Sequence, residues 1–577
     1  MKKTIKILFT AIVFIPLLMA CDSSWLDKQP LTQFTDNSYW TNEGNVKAFC
    51  LGFYSLFNGY GTASSSSLSA NAGSGSESDF YFTTFSDDQA NNAIDIFSTA
   101  APAVANTWST PYTYIRLSNL LLERIDRVPA GAAVKNHYRG VAYFFRAMEY
   151  FDLVRRYGDV PYESKYLDQN DDATLIWGKR TSRNAVMDSV LSDLNKAVSM
   201  LYTKAMADSY TGVNTVNQDI ANALKSRVCL YEGTYSKYQL NDMTRATSYL
   251  NQSKTASETV MASPAYQLNS DYKAIYNSLD LSSNKEALLY RIYLDGIVTH
   301  SVVGYCNSST IISGLTKDAV DAFLCTDGLP IGLSSLYKGD DCNPVTMSIG
   351  QTTLKNRDKR LVGNVDSVIC YTNKTNSLGF SSTTGYRISR FDNPALTKTQ
   401  ILAPNNPTDA PVFWLAEVLL NEAEACAELG VFTQTVANNT VNKLRARAGV
   451  ASLDVTNIAN DPKRDSDVSP LLWEVRRERR VELMMDGFRF WDLRRWAKLS
   501  YLNPTVKPDI FKGAKAPVGT SGSPGGQDAV GYILPYSAST AAKRVVATPK
   551  HYLDPIPTGQ LNLYQAAGIT FPQNTGW

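Results

Sequence analysis

The residues most capable of acid–base chemistry do not form a recognisable catalytic pattern. Adjacent carboxylates occur at Asp87–Asp88 and Asp171–Asp172, and a glycoside hydrolase needs two carboxyl groups about 5 to 9.5 Å apart. With 54 acidic residues in the chain, such pairs arise by chance. The sequence has three histidines and lacks the G-x-S-x-G, P-loop and H-E-x-x-H patterns. We therefore predict that the protein is not an enzyme, with an exported glycan-degrading hydrolase as the alternative.

Aromatic side chains offer a second kind of chemistry, which is binding by stacking. The chain has 32 Tyr, 22 Phe and 9 Trp residues. A ring presents a flat apolar face at low entropic cost, and the C–H face of a sugar can lie on it while Asn and Asp side chains bond the hydroxyls. Covering roughly 80 Å² of one ring contributes about 2 kcal/mol before association costs. Several rings are therefore needed, and we expect micromolar to millimolar affinity.

Position along the chain separates candidate binding rings from core rings. Phe144, Phe145 and Tyr231 lie on helical stripes and are predicted to be buried core. Rings in loop-like sequence, after a Ser-rich stretch and in the centre of the chain, are better candidates. The predicted ligand-binding residues are Phe80, Tyr81, Phe82, Phe97, Tyr293, Tyr305 and Asn307.

The cysteines and histidines predict neither a metal site nor a cofactor. No C-x-x-C pair occurs, and His137, His300 and His551 are far apart in sequence. The cysteines between 306 and 370 are close enough along the chain for disulfides, but most cysteines are interpreted as buried free thiols. Seven cysteines follow Cys21, namely Cys50, Cys229, Cys306, Cys325, Cys342, Cys370 and Cys426.

A stretch rich in arginine, from Arg476 to Arg495, has the composition of an anion-binding patch. Its arginines alternate at helical spacing with Glu478, Glu482, Asp486 and Asp492. Opposite charges at this spacing favour ion pairs within the protein. We therefore predict that the stretch is structural and that its aromatic residues pack beneath the charges.

Composition and charge exclude several classes of protein. The chain has 577 residues, of which 44% are hydrophobic and 19% charged, and this composition supports a substantial folded core. It has 56 basic and 54 acidic residues, and removal of Lys2, Lys3 and Lys6 with a leader would leave 53 basic ones. This near-neutral balance argues against a nucleic-acid-binding protein.

The first residues predict export and lipid attachment. Lysines precede the apolar run Ile7 to Met19, which is too short to span a bilayer and is typical of a secretory signal. The residues from Leu18 to Cys21 resemble the lipobox of bacterial lipoproteins, in which the cysteine is acylated. An ordinary signal peptide is the alternative. Two or more acyl chains on Cys21 would hold the protein on a membrane surface.

The hydrophobic pattern divides the chain into five parts. A signal peptide spans 1–20 and a lipidated tether 21–36. A mainly helical region spans 37–262, a loop-rich insert with short strands and the ligand loops 263–410, and a second helical region 411–577. In the last part, the helical stripe is expected to begin at Val412. Small residues among aromatics suggest helix pairs of the tetratricopeptide type.

Motifs in the expected order resemble the SusD-like (RagB/SusD) outer-membrane lipoproteins of Bacteroidetes. Residues 478–496, ERRVELMMDGFRFWDLRRW, are similar to the family's E-R-x-x-E-L-x-x-E-G-x-R-x-x-D-L-x-R-W, with Asp486 in place of the usual Glu. Arg146–Ala147 followed by YGDVP at 157–161 resembles a second motif. Further similar segments are Glu417 to Ala425, LRARAG at 444–449, YLDPIP at 552–557, and QNTGW at 573–577.

This resemblance implies both a fold and a function. The fold would be mainly α, with about four tetratricopeptide-like helix pairs beside a looped lobe. It implies a non-catalytic nutrient-binding lipoprotein, palmitoylated on Cys21, at the outside of the outer membrane, although Asp22 would favour inner-membrane retention under enterobacterial rules. The implied partner is a SusC-like TonB-dependent barrel transporter and the implied ligand an oligosaccharide, with a peptide ligand or a purely structural lipoprotein as alternatives. The resemblance also places ligand sites in the two loop regions named above. Trp108 begins a segment that resembles a helix start of the family, and the resemblance therefore implies a structural role for it.

Overall fold

Helices dominate the structure, and each strand belongs to a two-stranded ribbon. The computed structural model describes residues 36–61, 86–90, 100–168, 170–306, 314–371, 375–376, 379–402, 404–520, 522–523, 525–542 and 546–577. The α-helices are α1 (Asp36–Tyr39), α2 (Glu43–Gly52), α3 (Asn106–Arg124), α4 (Ala132–Tyr157), α5 (Ala173–Ile176), α6 (Arg183–Met200), α7 (Lys204–Tyr210), α8 (Gln218–Tyr238), α9 (Met243–Met261), α10 (Val302–Cys306), α11 (Lys317–Ala322), α12 (Lys359–Asn364), α13 (Lys398–Ile401), α14 (Leu415–Leu429), α15 (Gln434–Asn439), α16 (Val441–Ala448), α17 (Pro470–Glu482), α18 (Arg489–Arg495), α19 (Ala538–Ala541) and α20 (Thr558–Ala566). The strands are β1 (Gln89–Ala90), β2 (Val160–Pro161), β3 (Arg180–Thr181), β4 (Ala287–Arg291), β5 (Gly314–Leu315) and β6 (Ala410–Trp414). Short 3-10 helices occur at Phe53–Leu56, Ile125–Arg127, Tyr272–Ile275, Leu499–Leu502, Pro508–Phe511 and Lys550–Tyr552.

The long helices pack in succession and form the scaffold. Helix α3 packs on α4, α4 on α6, α6 on α8, and α8 on α9. Both α8 and α9 contact α14, which packs on α17. Phe144 and Phe145 on α4 and Tyr231 on α8 are buried between these helices, as is Trp108 at the start of α3. The predictions of a helical scaffold and of these core residues are confirmed.

Local sequence signals fix the ends of these helices. The side chains of Ser182, Asn217 and Asp242 accept hydrogen bonds from backbone N–H groups in the first turns of α6, α8 and α9. Such caps satisfy donors that a helix leaves unpaired at its start. Helices α14 and α16 end at Gly430 and Gly449, whose φ angles of 73° and 68° place them in the left-handed region that glycine tolerates best.

The expected start of the second helical region needs a correction. Val412 lies in strand β6, and helix α14 begins only at Leu415. Strand β6 pairs antiparallel with β4, with Pro411 opposite Tyr290. The apolar run at Val412 fits a helical stripe locally, but the distant strand β4 holds it extended. Pairing between remote segments is not visible in local periodicity.

The arginine-rich stretch forms buried ion pairs, as predicted. The Arg479 Nε atom donates to Asp492 Oδ2 at 2.9 Å. Glu478 accepts hydrogen bonds from Arg360 at 2.6 Å and from Arg445 at 3.0 Å. Most partners therefore come from other elements rather than from the same helix. The stretch joins the C-terminal helices to the insert.

The described residues show the state and the burial of the cysteines. All seven cysteines from Cys50 to Cys426 are in the thiol form, and Cys342 alone among them is partly exposed. The proposal of disulfides between residues 306 and 370 is therefore not supported.

Within the described ranges, no helix has both the length and the apolar character required to cross a bilayer.

Candidate functional site

Both loop regions singled out by the sequence adjoin one short ribbon. Strand β1 pairs antiparallel with β5, with Gln89 opposite Leu315 and Ala90 opposite Gly314. The segments 62–85 and 91–99 flank the stretch that contains β1, and segment 307–313 leads directly into β5. Thus the ribbon connects parts of the chain that are more than 200 residues apart in sequence.

A third segment locks this ribbon from the side. The Thr383 hydroxyl donates to the Ala90 carbonyl oxygen at 2.6 Å and accepts a hydrogen bond from the Gly314 N–H at 3.1 Å. A Cβ atom on Gly314 would lie 1.9 Å from Thr384 Oγ1 and 2.1 Å from Ser382 Oγ, so the approach requires glycine. The segment around Thr383 thereby bridges both strands.

Helix α11 is attached to the same ribbon. Its N-cap residue is Thr316, whose hydroxyl oxygen accepts a hydrogen bond from the Ala319 N–H at 3.1 Å. The Thr316 hydroxyl also donates to the Asp87 carbonyl oxygen at 2.7 Å, and the backbone N–H of Thr316 donates to the Asp88 carbonyl oxygen at 2.9 Å. The residues before β1 are therefore held to the start of α11.

A buried charge cluster anchors the same residues through their side chains. Arg489 makes a two-pronged pair with Asp87, with distances of 2.7 and 2.8 Å. Arg480 donates to Asp88 at 2.7 Å and to Asp318 at 2.8 Å. Two-pronged arginine pairs restrict orientation as well as distance. Helices α17 and α18 thus fix the position of β1.

The two aspartates of this cluster differ in their electrostatics. Burial would raise the pKa of Asp87, but the positive charges of Arg480 and Arg489 hold it well below its usual range. Burial raises the pKa of Asp88 more than Arg480 lowers it, and the Asp88 Oδ2 atom has no hydrogen-bond partner among the described residues. Because arginines occupy the other oxygens of this carboxylate pair, the arrangement is that of an anchor rather than of an acid–base pair.

Tyr293 is the predicted binding residue whose side chain the structure describes. Its ring is only 1% exposed, with its edge against His300 at a centroid distance of 4.6 Å. Its hydroxyl donates to the Gly61 carbonyl oxygen at 2.5 Å, and its N–H donates to Asp409. A ring enclosed in this way has no free face for a sugar. In this structure Tyr293 instead holds the residue that precedes segment 62–85.

The other predicted site residues cannot be located in the same way. Tyr305 belongs to helix α10, and nothing is described of its side chain. The remaining predicted residues lie outside the described residues; they are Phe80, Tyr81, Phe82, Phe97 and Asn307, together with the lipidation candidate Cys21. Their roles stay predictions.

A cavity of about 680 Å³ shares a wall with the charge cluster. Helices α11 and α17, the 3-10 helix Pro508–Phe511 and the loops at 330–340 and 461–465 surround it. Residues from the cluster that line it are Asp318, Arg480, Arg489 and Lys507. Trp473, from the first turn of α17, also lines it. This volume lies within the usual range for small-molecule sites.

The sequence prediction missed the residues that build the ribbon and the cavity. Thr316 carries a recognisable signal, because a threonine followed by a helical segment is a typical N-cap. Gly314, Thr383 and Trp473 carry no comparable signal, since their roles depend on contacts with distant parts of the chain.

The described residues also bear on metal binding. Among them, no group of three or more His, Cys, Asp or Glu side chains is arranged to hold a metal ion.

His300 is fully buried, and burial lowers its pKa to about 3. Its hydrogen bond to the Thr408 carbonyl oxygen has a smaller effect, which raises the pKa. The imidazole is therefore neutral at physiological pH.

Comparison with known proteins gives a consistent result along the chain. A family model described as "SusD family" matches residues 312–577, and a SusD-like model described as "Starch-binding associating with outer membrane" matches residues 24–230. SusD-like protein P38 of Formosa agariphila is 23% identical over 529 residues, which are 86% of this chain and 92% of that protein.

Solved structures of similar fold cover nearly the whole chain. A SusD-like carbohydrate-binding protein from Bacteroides fragilis has a TM-score of 0.68 at 20% identity, covering 91% of this chain and 99% of that one. A laminarin-binding SusD-like protein has a TM-score of 0.55 at 18% identity, covering 93% of this chain and 100% of that one. At these identities the likeness concerns the fold.

Proposed function

The chain belongs to the SusD-like proteins, and on this basis we propose that it binds an oligosaccharide without cleaving it and passes it to a SusC-like TonB-dependent barrel. It would do so as a lipoprotein anchored through Cys21 at the outer face of the outer membrane. The ligand would lie against rings in segments 62–85 and 91–99, with Asn307 of segment 307–313 as a polar neighbour. A peptide ligand is the second candidate within the same family.

The observation that carries this proposal is the β1–β5 ribbon. A weak, multi-ring binding site requires rings that are held close together, because each platform contributes only about 2 kcal/mol. The ribbon supplies a common base for loop regions that are remote in sequence, and Thr383, Thr316 and the charge cluster fix that base. A rigid base reduces the ordering cost of binding.

The same geometry argues for binding over catalysis. Asp87 and Asp88 form the acidic pair nearest the ribbon, and arginines already engage both. A general acid must present a protonated carboxyl group to the leaving oxygen. A carboxylate held by two arginine bonds, as Asp87 is, cannot do so without breaking them.

Calorimetric titration of the purified chain with laminarin, soluble starch and a peptide digest tests the proposal. We expect a glycan to bind with micromolar to millimolar affinity, with no new reducing ends after incubation. The triple variant Phe80→Ala, Tyr81→Ala, Phe82→Ala should lose at least about tenfold in affinity, since removing ring area removes more than about 1.4 kcal/mol.

Tyr210→Ala provides the matched control, because Tyr210 is an exposed aromatic residue outside these loops. Its affinity should equal that of the wild type. Equal affinity of the triple variant would contradict the site, binding of peptides alone would favour the second candidate, and release of reducing ends would refute the non-catalytic assignment.

A further inference from the structure

The cavity beside the charge cluster is built from residues outside the proposed loop site. We infer that it is a second binding site, for a neutral sugar unit. The inference adds to the proposed function and rests on it for the class of ligand, but its residues are all described and none belongs to segments 62–85, 91–99 or 307–313.

Trp473 provides the flat apolar face that a sugar requires. Its ring is partly buried, and its indole N–H donates to Asp461 Oδ2 at 3.0 Å. Asp461 also accepts a hydrogen bond from Arg477. Because Arg477 holds this carboxylate in place, the carboxylate in turn restricts the orientation of the indole. A ring held in one orientation loses little entropy when a ligand stacks on it.

The other rings of the cavity wall are already covered by cations. The Lys507 ammonium lies 4.0 Å from the centroid of Tyr501, and the Arg476 guanidinium lies 4.3 Å from that of Trp496. Tyr337 has the guanidinium of Arg357 at 5.4 Å. No cationic or aromatic partner of the Trp473 ring is found among the described residues. This ring packs partly against the core and also lines the cavity, which is where a ligand would contact it.

The charges of the cavity favour a neutral ligand. Lys317 pairs with Asp321 at 2.8 Å and with Asp340 at 3.1 Å, and Lys463 also reaches Asp321, at 3.0 Å. These pairs neutralise the lysines. The wall contains six aspartates, namely Asp318, Asp321, Asp340, Asp461, Asp465 and Asp509, and seven basic residues, namely Lys317, Lys463, Lys507, Arg476, Arg477, Arg480 and Arg489. Because most of these charges are already paired with one another or with neighbouring carboxylates, a charged ligand would have to disrupt existing ion pairs, whereas a neutral ligand would not.

Two donors in the wall nevertheless lack a hydrogen-bond acceptor. The Arg476 Nε atom is buried and has no partner. The Lys507 ammonium makes no hydrogen bond in the described structure; its nearest carboxylates, those of Asp318 and Asp87, are 3.8 and 4.0 Å away. A buried donor without an acceptor costs free energy. A sugar hydroxyl can accept from such donors and donate to the aspartates without adding charge.

Fluorine NMR of the full chain labelled with fluorotryptophan tests this site directly. The resonance of Trp473 is assigned by its disappearance in the variant Trp473→Phe, and the probes are glucose, galactose and mannose, with glucuronic acid as the charged counterpart. We expect at least one neutral sugar to shift the Trp473 resonance in a saturable way. Glucuronic acid should bind at least about fivefold more weakly than the matching neutral sugar.

Variants then separate this site from the loop site. The triple loop variant Phe80→Ala, Tyr81→Ala, Phe82→Ala should keep the sugar-dependent shift of Trp473. Lys507→Met, which retains the apolar stem of the lysine, should weaken the shift-based affinity at least about fivefold. Lys398→Met replaces an exposed lysine of helix α13, which does not line the cavity; it is the matched control and should leave this affinity unchanged.

The outcomes of these experiments distinguish the cavity site from the loop site of the proposed function. A shift that persists in the triple variant and falls with Lys507→Met supports the cavity site, whatever the loops do. If no neutral sugar moves the Trp473 resonance at concentrations up to about 100 mM, which is well above the expected range for weak sites, the inference of a cavity site is overturned. The loop site is tested separately, by the calorimetric titration. Tighter binding of glucuronic acid would overturn the neutral class of ligand.

Discussion

At the scale of single residues, His300 illustrates how a buried polar group supports the candidate site. Its Nε2–H donates to the Thr408 carbonyl oxygen at 2.9 Å, and its Nδ1 atom accepts from the Val302 N–H at 3.2 Å. Both ring nitrogens are thus used, in the neutral tautomer. The ring also packs against Tyr60 and Tyr293, next to the residue that precedes segment 62–85.

This arrangement predicts a pH dependence of folding stability. Burial lowers the pKa of His300 to about 3 in the folded protein, whereas an exposed histidine has a pKa near 6.5. A depressed folded pKa means that the stabilisation is complete above about pH 6.5 and is lost as the pH falls from there towards 3. The loss is at most about 1.4 kcal/mol per pH unit for this one group.

Urea unfolding of the wild type and of His300→Gln between about pH 7.5 and 4.5 measures this contribution. We expect the difference in unfolding free energy between the two proteins to shrink as the pH falls, because the variant has no imidazole to protonate. Other titrating groups are common to both proteins and cancel in the difference. A difference that is independent of pH would contradict the assignment of a neutral, buried His300.

At the scale of elements, the ion pair between Arg489 of helix α18 and Asp87, which precedes β1, is the contact that we expect to contribute most to holding β1 in place. Replacing Arg489 by Met leaves Asp87 buried and only partly compensated, which should cost about 3 to 5 kcal/mol. The double variant Arg489→Met, Asp87→Leu removes both charges and should recover a large part of that loss. A double-mutant cycle in urea measures the coupling.

Arg127→Met serves as the control for this cycle. Arg127 pairs with Asp36 at 3.0 Å, and both side chains are nearly half exposed. Exposed pairs contribute at most about 1 kcal/mol, so this variant should be close to the wild type. Simple additivity of the Arg489 and Asp87 substitutions would show that the pair does not anchor β1.

The close approach of β5 to its neighbours gives a second prediction about elements. In Gly314→Ala, the new Cβ atom would overlap Thr384 Oγ1 and Ser382 Oγ, so the ribbon must shift. We expect a loss of at least about 2 kcal/mol, as for an overpacked core. Gly52→Ala is the matched control. It lies in helix α2 with open space around it, and alanine there should stabilise by about 0.5 to 1 kcal/mol. Thermal unfolding of the two variants should therefore shift in opposite directions.

Elements also show how far the sequence alone can predict this structure. The stripes with Phe144, Phe145 and Tyr231 predicted α4 and α8 correctly because an amphipathic helix is encoded by neighbouring residues. Val412 was assigned to a helix wrongly because its strand partner lies over a hundred residues away. Tyr293 sits in loop-like sequence, yet hydrogen bonds to Gly61 and Asp409 bury it. Periodicity reports local burial, whereas site geometry depends on contacts between remote segments.

At the scale of the whole molecule, a frame of packed helices supports the β1–β5 ribbon. The helices from α3 to α17 pack in succession, and α17 and α18 reach across to the ribbon through Arg480 and Arg489. Under the proposed function, modest affinity is an advantage, because the ligand must be released quickly to a transporter. The expected micromolar to millimolar binding at the loops suits that task.

The attachment of the whole molecule to a membrane gives the last prediction. Cys21→Ala removes the proposed acylation site, and each buried methylene of an acyl chain contributes about 0.8 kcal/mol to membrane binding. In the native host, we expect the wild type to incorporate labelled palmitate and to sediment with outer membranes. The variant should incorporate no label and be recovered in the soluble fraction after lysis. Cys342→Ala, which removes a partly exposed thiol elsewhere in the chain, should behave like the wild type.

If Cys21→Ala still carried the label, acylation would occur at another residue. If the wild type carried none and was secreted in soluble form, the leader would be an ordinary signal peptide, and delivery to a barrel would need an anchor other than lipid.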